Sequence, residues 1–198
     1  MTIKVLNLYA GIGGNRKLWK DVEVVAVEIN EEIAGLYKLY FPNDEVVVGD
    51  AHQYLLEHFR EFDFIWSSVP CPSHSIARFW AQSVKNPVYP DMKLYEEIIF
   101  LKHHFKGQWV IENVISYYKP LICASKIGRH YFWSNFTIPE ISVSGFENEK
   151  QGEHDFIRRT GFDLSGKDVG QRKDQIYRNI VIPKLGLHVF NCAFRHLH

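Results

Sequence analysis

A short apolar segment, Phe64-Ile65-Trp66, runs into small residues and then into Pro70-Cys71-Pro72. The pattern predicts a buried strand over residues 62–69 that carries one thiol to the edge of a sheet. Ligands of open α/β sheets bind just outside the carboxyl ends of the strands, so a cysteine at this point can meet a substrate. The alternative is a small buried side chain, because free cysteine packs like an apolar residue. The choice between the two depends on the rest of the chain.

Apolar segments of strand length alternate with amphipathic segments of helix length along much of the chain. Strands are predicted over residues 3–9, 22–29, 45–48, 62–69 and 108–111, and helices over residues 31–40, 51–60 and 92–105. This alternation is typical of βαβ units, so we expect an α/β fold with a mostly parallel central sheet and helices on both faces. A length of 198 residues predicts a single domain, 1–198.

The remaining segments have weaker periodicity. Residues 75–91 predict an exposed loop directly after the thiol, of the kind that closes over a substrate. Residues 129–138 predict a hairpin arm rich in aromatic side chains, and residues 136–175 a short irregular insert. Residues 176–182 are expected to be extended, and a proline then fits the first turn of a closing helix over residues 184–194.

The first predicted strand ends in a glycine-rich turn, residues 10–14, and a helix is expected to start between Asn15 and Trp19. A strand, a glycine-rich turn and a helix bring backbone amides close to a cofactor in many α/β folds. The sequence AGIGG lacks the GxGxxG spacing of dinucleotide-binding proteins. Any tight turn into a helix favours glycine, so the turn alone does not establish a cofactor site.

Acidic residues follow three of the predicted strands. Glu28 ends the second strand, where it can hold both ribose hydroxyls of an adenosine-type cofactor, or favour a helix start together with Glu31 and Glu32. Asp50 follows the third strand, where it can accept from an adenine amino group, cap the next helix, or do both. Glu112 follows the fifth strand, beside the predicted position of the thiol, where it can form a catalytic pair or cap a turn.

Composition argues against several classes of protein. The three cysteines are widely spaced and form no CxxC pair, so neither a disulfide framework nor a metal site is expected. The formal net charge of zero is unusual for a nucleic-acid-binding protein. No apolar run approaches the ~20 residues of a membrane span, and the first residues lack the apolar segment of a signal peptide. We therefore expect a location in the reducing cytoplasm.

Taken in order, these segments resemble the motifs of the DNA cytosine-5 methyltransferase family. Residues 6–14, LNLYAGIGG, resemble the motif with which that family binds S-adenosyl-L-methionine. Pro70-Cys71 resembles its nucleophile motif, and Glu112-Asn113-Val114 is identical to its ENV motif. Arg129 is similar to the last arginine of its RxR motif, and Asn179 with Val181 resembles its GNxV motif. The resemblance spans residues 5 to about 190.

The resemblance implies a Rossmann-like, class I methyltransferase fold with S-adenosyl-L-methionine as cofactor and DNA as substrate. It implies Cys71, Glu112 and Arg129 as catalytic residues. The residues that it implies for cofactor binding are Tyr9, Ala10, Gly11, Ile12, Gly14, Glu28, Ile29, Asp50, Ala51, Pro70, Asn179 and Val181.

The chemistry that the resemblance implies needs a nucleophile, because C5 of cytosine is itself a poor one. A Cys71 thiolate that adds to C6 turns the ring into an enamine, whose C5 can attack a methyl sulfonium. Glu112 would hydrogen-bond N3 and the amino group, and Arg129 is the candidate cation that would favour the thiolate. A cytosine in a duplex has to leave the stack to reach such a pocket, so base flipping is implied.

Several features depart from the family's motifs. Pro72 follows the cysteine where the family often has glutamine, Ile127 stands at the first arginine of RxR, and Arg178 replaces the glycine of GNxV. The segment between Arg129 and Asn179 is also shorter than the family's usual target-recognition domain. These features suggest a minimal enzyme of a phage, another mobile element or a restriction-modification system, and a protein partner that supplies target recognition is one interpretation.

Three alternatives stay open on sequence grounds. The short insert also permits methylation of RNA, as in the tRNA-methylating branch of the same family. A non-catalytic protein of the same fold could bind nucleic acid or a partner, but Cys71 and Glu112 are both present, which favours an enzyme. A Rossmann-like dehydrogenase would need the missing GxGxxG motif and would give the Cys71 and Glu112 pair no role.

Overall fold

The computed structural model describes residues 2–78, 87–141, 153–167 and 173–194. Its strands are β1 (Ile3–Leu8), β2 (Val22–Glu28), β3 (Glu45–Val48), β4 (Phe64–Ser68), β5 (Gln108–Val114), β6 (Ser125–Ile127) and β7 (His130–Ser134). Its helices are α1 (Glu31–Tyr40), α2 (Ala51–His58), α3 (Lys93–His104), α4 (Glu153–Thr160), α5 (Lys173–Asn179) and α6 (Pro183–Ala193), and a short 3₁₀ helix (Phe59–Glu61) follows α2.

The strands form one sheet in the order β3-β2-β1-β4-β5-β7-β6. The first five strands of the chain pair in parallel, whereas β7 runs antiparallel to both β5 and β6. The strand order reverses between β1 and β4, because the chain continues from β1 to one side and returns at β4 on the other. Ligands of such sheets bind at the carboxyl ends of the strands at this switch point. The segments that follow β1 and β4 contain the glycine-rich turn and Cys71.

The two faces of the sheet are covered by different helices. Leu6, Ile65 and Ile111 pack with α2 and α3, whereas Val5, Phe64 and Val110 pack with α6 on the other side. A third cluster joins α1 to residues 162–164 and α5. The strands read as continuous apolar runs because side chains pointing to both faces are buried. The predicted α/β fold with helices on both faces is confirmed.

The segment after the glycine-rich turn differs from the expectation of a helix from Asn15. Residues 14–18 form hydrogen-bonded turns instead. A Cβ atom at Gly186 would lie 2.3 Å from the Asn15 carbonyl oxygen, so α6 passes directly against this backbone. The Asn15 side chain donates to Asn7 at 2.7 Å, and Arg16 donates to the Trp19 carbonyl at 2.7 Å. These side-chain contacts with the backbone and the core fix a turn in place of a helix.

The expectation of an extended segment from residue 176 is wrong, because α5 continues to Asn179. Ile176 is buried in the third cluster, and the ring of Tyr177 lies 3.9 Å from that of Phe156 on α4. Helix packing therefore overrides the apolar pattern of this segment. The stretch predicted as an irregular insert contains α4 and the fully buried Phe162 and Leu164.

None of the helices in the described ranges is long and apolar enough to cross a bilayer.

Candidate active site

The chain turns sharply after β1. Tyr9, Gly11 and Gly13 have left-handed backbone conformations there, with φ of 52°, 54° and 83°. The Gly11 amide donates to Oε2 of Glu28 at 3.0 Å, and the Asn30 amide donates to Oε1 at 3.0 Å. Glu28 therefore ties the turn to the end of β2 and keeps further lone pairs for ligand hydroxyls. No atom of the described residues, apart from Gly11 and its two chain neighbours, lies within 4 Å of the position that a Cβ atom at Gly11 would occupy, so a ligand can approach the backbone there.

The segment that resembles the GNxV motif lies against this turn. A Cβ atom at Gly14 would come within 2.4 Å of the Val181 carbonyl oxygen and 2.5 Å of Ile180 Cγ2. Val181 is buried, whereas Asn179, the last residue of α5, is exposed. The fold thus brings the first and last motifs of the sequence together. Ala10 and Ile12 of the turn are buried and serve as part of the third core cluster.

The ends of β2 and β3 provide an apolar surface and a carboxylate. Ile29 is 70% exposed although its side chain is apolar. Asp50 accepts through Oδ1 from the His52 and Gln53 amides, which caps α2, and its Oδ2 lies 3.8 Å from Lys93 Nζ. The Gln53 amide, followed by the Lys93 ammonium, holds the pKa of Asp50 below its ordinary value. Ala51 is buried beneath the cap. The carboxylate oxygens of Glu28 and Asp50 and the exposed Ile29 side chain are chemically suited to the hydroxyl groups, amino group and base of an adenosine.

A fully buried carboxylate, Glu97 of α3, connects several parts of this region. It accepts from the Tyr9 hydroxyl at 2.7 Å and from the Ser67 hydroxyl at 2.6 Å, and Nδ1 of His52 lies 3.1 Å from its Oε1. Burial, followed by the Glu97 charge, raises the pKa of Tyr9, and the hydrogen bond to Glu97 raises that of His52. Buried charge is costly unless it is paired, and here the partners come from the turn after β1, from α2 and from β4.

Cys71 and Glu112 follow neighbouring parallel strands. Ser68 of β4 is paired with Glu112 of β5, so the loop with Cys71 leaves the sheet beside Glu112. Cys71 is half-buried behind an exposed Pro70, and Glu112 is buried. Burial, and then the charge of Glu112, raises the pKa of the Cys71 thiol above its ordinary value. The free protein therefore holds a neutral thiol beside a carboxyl group at neutral pH.

Contacts on both sides fix the loop that contains Cys71. The Cys71 carbonyl accepts from the His74 amide at 2.9 Å. The His74 side chain is fully buried, with Nδ1 2.6 Å from the Tyr118 hydroxyl, and burial lowers the pKa of this histidine. Nδ2 of Asn113 donates to the Val69 carbonyl at 3.0 Å. The thiol is therefore held on a loop that is fastened to the end of β5 and to the segment that follows it.

Two residues of the hairpin formed by β6 and β7 lie near the end of β5. Arg129 is exposed in the hairpin turn, where its carbonyl accepts from the Ile115 amide at 3.1 Å. His130 begins β7, and its Nδ1 lies 2.5 Å from Oε1 of Glu112. His130 was not predicted, because nothing in the local sequence pattern distinguishes it from the other nine histidines. Glu97 was also missed, although it stands on the apolar face of α3 with Leu94, Ile98 and Leu101.

Comparison with known proteins identifies the family of the chain. The sequence profile of C-5 cytosine-specific DNA methylases matches residues 3–116, more than half of the chain and all of the segment from β1 to the ENV sequence. The chain belongs to this family. The match confirms the predicted family and S-adenosyl-L-methionine as its cofactor. No curated protein sequence matches the chain.

A solved methyltransferase structure supports the fold, and parts of other solved structures also align with the chain. The Entamoeba histolytica methyltransferase EhMeth aligns over 100% of this chain and 99% of its own, with a TM-score of 0.53 and 13% identity. The DNMT2 mutant from Spodoptera frugiperda shares 26% identity over 57% of this chain and 36% of its own (TM-score 0.41). A putative DNA modification methyltransferase from an Escherichia coli prophage shares 20% identity over 60% and 34% (TM-score 0.40). The matched region spans half of the PH0226 protein from Pyrococcus horikoshii and about a third of the last two proteins.

Proposed function

We propose that the protein transfers a methyl group to C5 of cytosine in DNA, through a covalent bond between Cys71 Sγ and C6 of a flipped-out base. The observation that carries the proposal is that Cys71 and Glu112 follow adjacent strands. The two groups are close enough for the charge of Glu112 to raise the pKa of the Cys71 thiol. The turn that ties Gly11 to Glu28 lies at the same edge of the sheet. A thiol, a carboxyl group and a cofactor turn at one switch point are the set that this reaction requires.

Each group has a distinct part in the proposed reaction. S-adenosyl-L-methionine would supply an electrophilic methyl group, held by the Gly11 turn, Glu28 and Asp50. Cys71 would add to C6 as the thiolate, which moves the ring electrons towards N3 and makes C5 nucleophilic. Glu112 would hydrogen-bond N3 and the exocyclic amino group. C5 would then attack the methyl group, whose bond to the sulfonium breaks and leaves a neutral thioether. Water or a loop residue would take the C5 proton, the C5=C6 double bond would form again, and the C6–Sγ bond would break to restore the thiolate. Arg129 stays the candidate cation that would favour the thiolate.

A radiolabelling experiment tests this function. The protein is incubated with methyl-labelled S-adenosyl-L-methionine and, separately, with duplex DNA, single-stranded DNA and tRNA, followed by nucleoside analysis. We expect label at C5 of cytosine in DNA and none with Cys71→Ser. The conservative control is Cys123→Ser, because Cys123 is an exposed thiol outside the site.

The other outcomes have definite meanings. Label in tRNA alone would replace DNA by RNA as the substrate. Cofactor binding without label in any polymer would contradict a free-standing enzyme and would favour a requirement for a partner that supplies target recognition. The tRNA and partner outcomes are included because the segment between β7 and α5 is short.

A further inference from the structure

The carboxylate proposed to contact the base is already paired with a histidine. Nδ1 of His130 lies 2.5 Å from Oε1 of Glu112, and the two side chains are 13% and 7% exposed. Paired in this way, Glu112 keeps Oε2 for another partner. The ring of Phe132 lies 6.1 Å from that of His130 and helps to enclose the pair. A buried carboxylate depends on such a partner for both its orientation and its charge.

Strand register explains why His130 reaches Glu112. In the antiparallel pairing of β5 with β7, Val114 is opposite His130 and Glu112 is opposite Phe132. Side chains alternate along a strand, so His130 and Glu112 share one face of the sheet as diagonal neighbours, within reach of long side chains. Arg129 precedes β7 and is exposed in the turn.

We propose that His130 is the positioning residue of Glu112: it holds Oε1 and directs Oε2 towards the base. This inference rests on the proposed function. Without His130, the Glu112 side chain is free to turn away from N3 and the amino group of the base, and the interaction that favours addition at C6 is lost.

The ionisable groups around His130 are few in the described parts of the chain. Glu112 faces it from β5, and Cys71 lies beyond Glu112 at the end of β4. Arg129 adjoins it in the turn, and on β6 the residue opposite it is the apolar Ile127, next to the exposed Lys126. Within these parts of the chain, the charged group in contact with His130 is therefore Glu112.

Single-turnover methyl transfer as a function of pH tests the inference. We expect His130→Ala to lower the rate about tenfold or more, because Glu112 is no longer held, with little change in the Kd for S-adenosyl-L-methionine. His130→Gln keeps a side-chain N–H donor, so its rate should exceed that of His130→Ala. The matched control is His188→Gln, a half-buried histidine of α6 whose Nε2 lies 2.9 Å from the Pro139 carbonyl, and it should leave the profile unchanged.

Two results would overturn the inference on kinetic grounds. One is a wild-type rate and pH profile in His130→Ala, and the other is a His130→Gln variant no more active than His130→Ala.

A spectroscopic measurement separates this inference from the proposed function. Ring-nitrogen shifts from ¹⁵N NMR of the full chain, without nucleic acid, report whether Nδ1 of His130 carries a proton. We expect a proton on Nδ1 at neutral pH in the wild-type protein and its loss in Glu112→Ala. An unprotonated Nδ1 in the wild-type protein would contradict the pairing, whether or not the protein methylates DNA.

Discussion

The negative charge of Glu112 opposes ionisation of the Cys71 thiol. Burial and Glu112 both raise the pKa of Cys71, so the thiolate is scarce in the free protein. A hydrogen bond from the amino group of a bound base to Glu112 offsets part of the negative charge that the thiol experiences. The reactive form of Cys71 is therefore favoured only when substrate is present, which protects an otherwise exposed thiolate from other electrophiles.

Alkylation of the free protein measures this effect. Iodoacetamide should modify Cys71 with a pH midpoint above that of an ordinary cysteine, about 8.5. Glu112→Gln removes the charge and should lower this midpoint, because only the burial contribution remains. Mass spectrometry resolves the peptide that contains Cys71 from that of the exposed Cys123, which serves as the internal reference. An unchanged midpoint in Glu112→Gln would show that the carboxylate does not act on the thiol.

At the scale of elements, Glu97 joins α3 to the turn after β1, to α2 and to β4 through hydrogen bonds. His52 contributes to this connection in a pH-dependent way, because its hydrogen bond to Glu97 raises its folded-state pKa above the unfolded value, about 6.5. Folding then takes up a proton between the two pKa values. The stabilisation is complete below the unfolded pKa and is lost as pH rises through the folded pKa.

Thermal unfolding at several pH values tests the contribution of His52. The difference in Tm between wild type and His52→Gln should be larger at pH 6 than at pH 8.5. The control is His58→Gln on the same helix, because His58 pairs with the exposed Glu61 and surface pairs contribute little. A Tm difference that does not vary with pH would mean that His52 is not protonated against Glu97.

Glycines of the cofactor turn have separable functions, and alanine substitutions should distinguish them. Gly14→Ala places a Cβ atom 2.4 Å from the Val181 carbonyl oxygen, so we expect a loss of about 1–3 kcal/mol in unfolding free energy. Gly11→Ala meets open space and bears only the cost of its left-handed conformation, about 1 kcal/mol, so its main effect should be on cofactor affinity.

Gly35→Ala provides the reference for both variants, because Gly35 lies within α1 and faces open space. This substitution should raise the unfolding free energy by about 0.5–1 kcal/mol. Chemical denaturation and calorimetric titration with S-adenosyl-L-methionine give the two quantities. A fully stable Gly14→Ala protein would contradict the contact between the first turn and Val181.

The elements that were predictable from sequence are those with a strong periodic signal. The buried runs of β1 and β4 and the apolar faces of α1 and α3 determine their structure locally. The turn after Gly14 was not predictable, because α6 packs against it from the far end of the chain. α5 was also missed, since its helix depends on packing against α4.

Some residues of the candidate site could also be predicted from the local sequence, whereas others could not. Strand-end residues such as Glu28 and Cys71 stand out because a strand and a turn in the local sequence point to them. Glu97 and His130 act on partners that are 88 and 18 residues away, Tyr9 and Glu112, and only the fold brings these pairs together. A single sequence contains no local sign of such pairs, apart from a carboxylate on the apolar face of α3.

For the whole molecule, the sheet order places the first and last motifs beside each other and both proposed catalytic groups at neighbouring strand ends. We propose that this site has limited sequence selectivity of its own, because the segment between β7 and α5 is short.

The most direct measurement of the central claim is covalent trapping on duplex DNA in which 5-fluorocytosine replaces cytosine. Fluorine at C5 cannot leave as a proton does, so the bond between Cys71 and C6 should persist after methyl transfer. We predict a complex that survives denaturation, requires S-adenosyl-L-methionine, maps to the Cys71 peptide and is absent with Cys71→Ser. Methyl transfer to C5 of ordinary cytosine with no trapped complex, or a complex that survives Cys71→Ser, would contradict the proposed mechanism.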